Sequence, residues 1–158
     1  MASIFTKIIA RELPAQVVWE DDAVIVIMDV NPVHEGHLLV IPKREEDSIF
    51  SLSPAEYHRL WHVVRCLEGP LRRAIDSPRI GIAVEGFGVP HVHIHMVPVF
   101  RGGDLDPNRA KTTSDEVLAS AAARIRSEIK SEPNQALQRT TMAAMFAIGA
   151  TRLVVSEL

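Results

Sequence analysis

The chain has 158 residues, a net charge of −3 at pH 7 and one cysteine, so it is long enough for one domain with a substantial core but cannot form an internal disulfide. This weakly acidic balance argues against a protein that binds nucleic acid or a membrane surface, because such proteins carry a basic patch. No stretch reaches the ~18 apolar residues of a membrane span, and Lys7, Arg11 and Glu12 interrupt the apolar run that a signal peptide needs, so we expect a cytoplasmic protein.

The first half of the chain predicts one short helix and three strands. Ser3 can cap the helix, because its side-chain oxygen can accept a hydrogen bond from a free backbone N–H. Val17–Glu20 and Ala23–Asp29 are predicted strands, and the nearly continuous aliphatic run of the second indicates burial on both faces. Leu38–Ile41 is a third strand, which Pro42 ends.

The second half predicts two longer helices and two more strands. Ser53–Glu56 has a serine N-cap, a proline at the first helical position and a glutamate that completes a capping box. We expect Gly69–Pro70 to end or kink that helix. Arg79–Glu85 and Val89–Val99 are the fourth and fifth strands, and the short turn between them predicts an antiparallel hairpin. A second capping box at Thr113–Glu116 begins the last helix.

Three histidines alternate with aliphatic residues in the fifth predicted strand. Because successive side chains of a strand point to opposite faces, His91, His93 and His95 share one face at spacings of roughly 6–7 Å. Three imidazoles on one face fit either a metal site or a site that binds an anion through several donors. His37 follows a glycine at the start of the third strand and could join them.

The segment His91–Pro98 resembles the signature of the histidine triad (HIT) family of nucleotide hydrolases and transferases. Ile4–Ile9, Trp19–Asp22, Met28–Pro32 and Gly36–Lys43 resemble further segments of that family, in its order and spacing.

The resemblance implies an α+β fold, with a five-stranded antiparallel sheet and two main helices, and a homodimer. It covers about residues 3–131, so we expect a HIT domain over residues 1–131. Residues 132–158 are then an atypical C-terminal extension that packs on the domain or on a partner subunit, or is partly disordered.

The resemblance also implies an enzyme that attacks the α-phosphate of a nucleoside monophosphate linked to a leaving group. The linkage can be an ester, an anhydride or a phosphoramidate, and the partner is a purine nucleotide; no cofactor and no metal are implied. His93 is the implied nucleophile, which forms a nucleotidyl-histidine that water or an acceptor resolves. His95 contacts the phosphate and the leaving group, and His91 and His37 support the geometry. A neutral imidazole is a good nucleophile near neutral pH.

Asp29 matches the family residue that accepts a hydrogen bond from the ribose hydroxyls. The other residues that match nucleotide-binding positions are Phe5, Ile8, Ile27, Val30, Phe87, Gly88 and Val89. Three positions depart from the family pattern: Phe87 replaces a glutamine, the usual asparagine is missing near Ala83, and Val99 replaces an arginine. We predict that Phe87 narrows the range of leaving groups.

Two other functions fit the same residues. The first is a nucleotide-binding module with weak or no catalysis, because the departures remove polar contacts to the phosphate. The second is a zinc site built on the three histidines, although no supporting carboxylates are evident from the sequence. Asp29 could also be an ordinary turn residue, and the aliphatic positions simple core.

Overall fold

The structure is a computed structural model that describes residues 2–86 and 88–131. In chain order these form α1 (Ile4–Ile9), β1 (Val17–Glu20), β2 (Val24–Met28), β3 (Leu38–Pro42), α2 (Pro54–Ile75), β4 (Arg79–Ala83), β5 (Ile94–Val99) and α3 (Asp115–Ser131). The side-chain oxygen of Ser3 accepts the Thr6 N–H at the start of α1. The Ser53 capping box is present at the start of α2. The predicted helix starts at Ser3 and Ser53 are therefore confirmed.

The five strands form one antiparallel sheet in the order β1-β2-β3-β5-β4. This confirms the predicted α+β fold. His95 on β5 lies opposite Leu39 on β3 and Ala83 on β4. The third histidine of the triad is therefore held in the interior of the sheet, where both neighbouring strands fix its backbone.

Each face of the sheet contributes to a separate apolar cluster. The larger cluster lies under α2 and α3; among its fully buried members are Leu60, Leu67, Ile94, Met96 and Ile125. The smaller cluster consists of Phe5, Ile8, Ile25, Ile27, Leu39 and Ile41. All five residues of β2 are buried because alternate side chains enter different clusters, as the aliphatic run predicted.

Two predicted boundaries are wrong: α2 does not end at Gly69–Pro70, which was one of the two alternatives expected there, and β5 does not begin at Val89. The helix α2 continues through Pro70 to Ile75; a proline removes one backbone hydrogen bond, and here the buried packing of Leu67, Pro70 and Leu71 compensates for that loss. The strand β5 begins at Ile94 rather than at Val89, so residues 84–93 form a long connection instead of a short turn. In the part of the chain that the structure describes, no helix is both long and apolar enough to cross a membrane.

Candidate active site

The segment before β5 places the histidines against α1. The Val92 N–H donates to the Glu46 carbonyl at 2.7 Å, and Val92 enters the larger cluster. The neighbouring histidines face the other way: the ring of Phe5 lies 5.8 Å from that of His91 and 5.0 Å from that of His93. The alternation predicted for a strand is thus kept, although only His95 lies in the strand.

His93 has one ring nitrogen engaged and one available. Its Nδ1 lies 2.7 Å from the backbone carbonyl oxygen of His91. A carbonyl can only accept, so Nδ1 carries the proton and Nε2 has the lone pair in the neutral ring. The residue is buried. This hydrogen bond holds the ring in the tautomer and orientation of a nucleophile.

His91 is fully buried and has both ring nitrogens bonded. Its Nε2 lies 2.8 Å from the Pro42 carbonyl oxygen and must donate to it. Its Nδ1 therefore accepts from the Ser3 hydroxyl, which is 2.7 Å away. Ser3 is at the same time the N-cap of α1, so one hydroxyl couples the start of the helix to the first histidine of the triad.

His37 and His95 form a hydrogen-bonded pair. The Val33 N–H donates to His37 Nδ1 at 3.2 Å, and His37 Nε2 lies 2.9 Å from His95 Nδ1. With Nδ1 occupied as an acceptor, the neutral His37 ring donates through Nε2. His95 Nδ1 then accepts, so His95 presents Nε2–H to a ligand.

Burial keeps both rings of this pair neutral. Burial is the main cause that lowers the pKa of His37 to about 4, and the Asp29 carboxylate opposes it, with an oxygen 3.5 Å from Nδ1. The pKa of His95 is also lowered, first by burial and then by the nearby His93. Neutral rings at physiological pH agree with the tautomers that the hydrogen bonds require.

The predicted nucleotide-binding residues fall into two groups. Phe5, Ile8 and Ile27 come together in the smaller cluster, and Val89 packs against it. Asp29 lies at the end of β2 beside His37, whereas Val30 and Gly88 are exposed. Phe87 and the C-terminal extension lie outside the described residues.

A cavity of about 350 Å³ opens beside the nucleophile candidate. Its lining includes Asp47, Phe50, Val84, Glu85 and His93. Because His93 Nδ1 is engaged, Nε2 is the ring nitrogen that remains for a ligand in this cavity. A second cavity, of about 540 Å³, lies between the loop before β3 and the start of α3 and contains none of the four histidines.

The residues suited to hold a metal are not the three triad histidines. Among the described residues, the group with ligand geometry is Asp29, His37 and His95, whose ligand atoms lie within 4.8 Å of one another. A metal bound to His95 Nδ1 would take the lone pair that accepts from His37 Nε2 and would break the hydrogen bond between the two rings. His91 has no nitrogen left to offer.

A sequence model of the family described as "HIT domain" matches residues 10–102. The chain belongs to the HIT family. An uncharacterized HIT-like protein of Borreliella burgdorferi is 34% identical over 121 residues, which span 72% of this chain and 87% of that protein.

Further members of the HIT family resemble the chain in sequence or in structure. The adenylylsulfatase HINT1 of Arabidopsis thaliana is 34% identical over 107 residues, 60% of this chain and 69% of that protein. The solved structure of a hypothetical histidine triad nucleotide-binding protein from Sulfolobus tokodaii superposes with a TM-score of 0.71 at 27% identity, over 80% of this chain and 91% of that chain. The family therefore includes hydrolases.

Sequence reasoning missed two residues that hold the site together. The sequence predicts Ser3 as a helix cap, but no pattern in it links Ser3 to His91, 88 positions away. Glu45 accepts the Ser3 N–H at 3.0 Å and also the Thr6 hydroxyl. A serine and a glutamate in these places carry no motif, so only the fold could reveal the network.

Proposed function

We propose that this HIT protein is a nucleotide hydrolase or nucleotidyl transferase that acts at the α-phosphate of a purine nucleoside monophosphate ester, anhydride or phosphoramidate. The observation that carries the proposal is the hydrogen bond from His93 Nδ1 to the His91 carbonyl, which leaves Nε2 as a nucleophile beside a cavity. His93 Nε2 attacks phosphorus and forms a nucleotidyl-histidine, and water or another acceptor then resolves it.

The other histidines stabilise the negative charge that develops in the reaction and hold the reacting rings in place. His95 presents Nε2–H to the phosphoryl oxygens and to the bridging atom of the leaving group, where negative charge develops. His37 fixes the tautomer of His95 through the 2.9 Å bond. His91 acts through its carbonyl on His93 and is itself held by Ser3 and Pro42. The nucleophile and the donor are thus oriented before the substrate binds.

The nucleoside is held on the side of α1. Phe5, Ile8 and Ile27 form an apolar surface next to the histidines and suit a purine base. The Asp29 carboxylate, whose other oxygen accepts the Asn31 N–H at 2.9 Å, accepts the ribose hydroxyls. Gly88 and Val89 contribute backbone contacts to the nucleotide. The relatives named adenylylsulfatases make adenylyl sulfate one substrate to test.

The decisive experiment is a search for the covalent intermediate. The protein is mixed with an AMP phosphoramidate and with adenylyl sulfate, quenched in base, digested and analysed by mass spectrometry. The proposal requires a nucleotidyl mass on the peptide that contains His93, and its absence from the His93→Ala variant. Binding of AMP without turnover of either compound would instead support the alternative, a nucleotide-binding module.

We also propose a cytoplasmic homodimer in which residues 1–131 are the catalytic domain. β4 is an edge strand, and Ile82, Phe100 and Leu105 are exposed large apolar side chains on or near it. A second copy would cover these side chains. Sedimentation that shows only a monomer at micromolar concentration would contradict the dimer.

A further inference from the structure

The cavity beside His93 has an inner wall and an outer rim. If the proposed function holds, on which the following inference rests, the rim contacts the leaving group of the substrate. His93 is 7% exposed, while Phe50, which lines the same cavity, is 89% exposed. The cavity therefore runs from the buried nucleophile to a rim in contact with solvent. Asp47, Val84 and Glu85 also line it and are exposed.

The direction of the reaction assigns the rim to the leaving group. In a displacement at phosphorus, the attacking and leaving atoms lie roughly in line. Since His93 attacks from the inner wall, the bond that breaks points away from the ring toward the rim. The base and ribose occupy the other side, against the smaller apolar cluster near α1.

Two carboxylates, those of Asp47 and Glu85, line the rim. Among the described residues, neither Asp47 nor Glu85 has an ion-pair partner, and the guanidinium of Arg44, three positions before Asp47 in the chain, is bound to Glu46 and Glu56. Burial is the main cause that lowers the pKa of His95, and the charge of Glu85 partly opposes it. Glu85 is therefore close enough to the site to act on this ring. Phe50 and Val84 add apolar surface to the lining of the same cavity.

We propose that Asp47 and Glu85 select a leaving group that carries a positive charge on a short apolar spacer, as in a phosphoramidate of AMP with an ω-ammonium alkylamine. An anionic leaving group such as sulfate or a polyphosphate is disfavoured at the same rim, which sets this chain apart from relatives named for adenylyl sulfate.

The bonds and protons balance for this substrate. A bond forms from His93 Nε2 to phosphorus while the bond from phosphorus to the amine nitrogen breaks, and its electron pair stays on nitrogen. The nitrogen takes one proton from solvent by way of His95. Water then attacks phosphorus, the bond to His93 breaks, and the proton released by water returns to solvent, so the products are AMP and the amine.

The test compares three AMP phosphoramidates whose alkylamine portions have the same length and end in an ammonium, a hydroxyl or a carboxylate group. The measured quantity is the ratio of kcat/KM for the ammonium compound to kcat/KM for the carboxylate compound. We expect this ratio to be roughly tenfold or more higher in the wild type than in the Asp47→Asn, Glu85→Gln double variant. The hydroxyl compound is the internal reference. Added salt should reduce the preference, because rim charges are screened.

The control variant is Asp22→Asn in the exposed turn between β1 and β2, which removes one charge outside the cavity. It should keep the wild-type ratio. An equal ratio in wild type and double variant would overturn this inference while leaving the proposed function intact. Binding of the three compounds to His93→Ala, measured by calorimetry, gives the same comparison without turnover. If His93→Ala binds none of them and the wild type cleaves none, the proposed function and this inference both fail.

Discussion

The two faces of the sheet are covered by very different lengths of helix. On one face, α2 and α3, with 22 and 17 residues, lie over the larger apolar cluster. The smaller cluster on the other face includes side chains of α1, which has six residues. The buried histidines lie on this second, thinly covered face, and each described ring has a partner for at least one nitrogen. One face thus supplies most of the apolar burial, and the other leaves room for a ligand.

The largest difference between the roles of the two faces should appear when the nucleophile is removed. His93→Ala should reduce turnover of an AMP phosphoramidate by at least about a thousandfold while changing the Kd for AMP by less than about tenfold. The chemical step needs the ring, whereas ground-state binding draws on the apolar cluster and Asp29. Stopped-flow or single-turnover assays measure the first quantity and calorimetry the second. An active His93→Ala enzyme would contradict the assignment of the nucleophile.

A cavity created by substitution on the other face should lower the stability of the protein and leave its activity nearly unchanged. Leu67, on α2, is fully buried in the larger cluster. Leu67→Ala should lower the free energy of unfolding by about 2–5 kcal/mol, because the lost side chain leaves a void that the helices fill only in part. Below the unfolding temperature, kcat/KM should stay within about threefold of the wild type, since distant sites act independently.

Ile27→Ala is the matched substitution on the thinly covered face. Ile27 is buried in the smaller cluster, so the variant should lose stability and should also bind AMP more weakly. Urea denaturation and calorimetry check the two effects. If Ile27→Ala keeps wild-type affinity for AMP, the base does not rest on this cluster, and the division of labour between the faces is wrong.

The sequence predicted the parts of this fold that depend on local patterns. The helix starts at Ser3 and Ser53 follow from capping, and the doubly buried strand β2 follows from its aliphatic run. The alternation around the triad was also sufficient to put the three histidines on one side. The HIT family membership came from the same residues, because its motifs are local in sequence.

The failures share one physical cause, which is tertiary context. A proline usually ends or kinks a helix. Here α2 continues past Pro70 because the buried contacts of Pro70 and Leu71 outweigh one missing hydrogen bond. The bond between Ser3 and His91 and the acidic rim of Asp47 and Glu85 join segments that are far apart in the chain. No periodicity or spacing connects such residues, so they become visible only once the sheet and its loops are assembled.

Acid should destabilise the face that carries the histidines. The pKa of His37 falls from 6.5 to about 4 on folding, so between these values the unfolded chain binds a proton that the folded protein excludes. The free energy of unfolding therefore decreases as the pH falls from about 6.5 toward 4, on the order of 3 kcal/mol from this residue. Above pH 6.5 the ring is neutral in both states, and the stability that is lost in acid is fully present. Urea denaturation at pH 7.5 and pH 5 measures the part of this change that falls above pH 5, roughly 2 kcal/mol.

The His37→Asn variant isolates the contribution of this ring from that of the other titratable groups. The variant lacks the imidazole and should lose less stability than the wild type between pH 7.5 and pH 5. An identical loss in both proteins would show that the acid sensitivity arises elsewhere. Turnover by the wild type should also fall with pH through this range, since the pair with His95 must be neutral to hold its tautomers.

The smallest expected effect is the loss of the hydroxyl that ties α1 to the triad. Ser3→Ala removes the acceptor of the Thr6 N–H and the donor to His91 Nδ1. A lost N-cap costs about 1 kcal/mol of stability. The unpaired nitrogen of the buried His91 also frees that ring to move, and with it the carbonyl that orients His93. We expect kcat to fall roughly tenfold, by analogy with other losses of one orienting contact, and KM to change less.

Ser53→Ala is the matched control, because Ser53 caps α2 with the same geometry but contacts none of the histidines. It should cost a similar ~1 kcal/mol of stability and leave kcat at the wild-type value. Ser3→Thr, which keeps a hydroxyl at the N-cap, should restore most of the rate. If Ser3→Ala and Ser53→Ala lower kcat equally, Ser3 contributes only to folding. If Ser3→Ala alone lowers kcat and threonine restores it, the hydroxyl positions the nucleophile through His91, and the thin face depends on its short helix for catalysis as well as for cover.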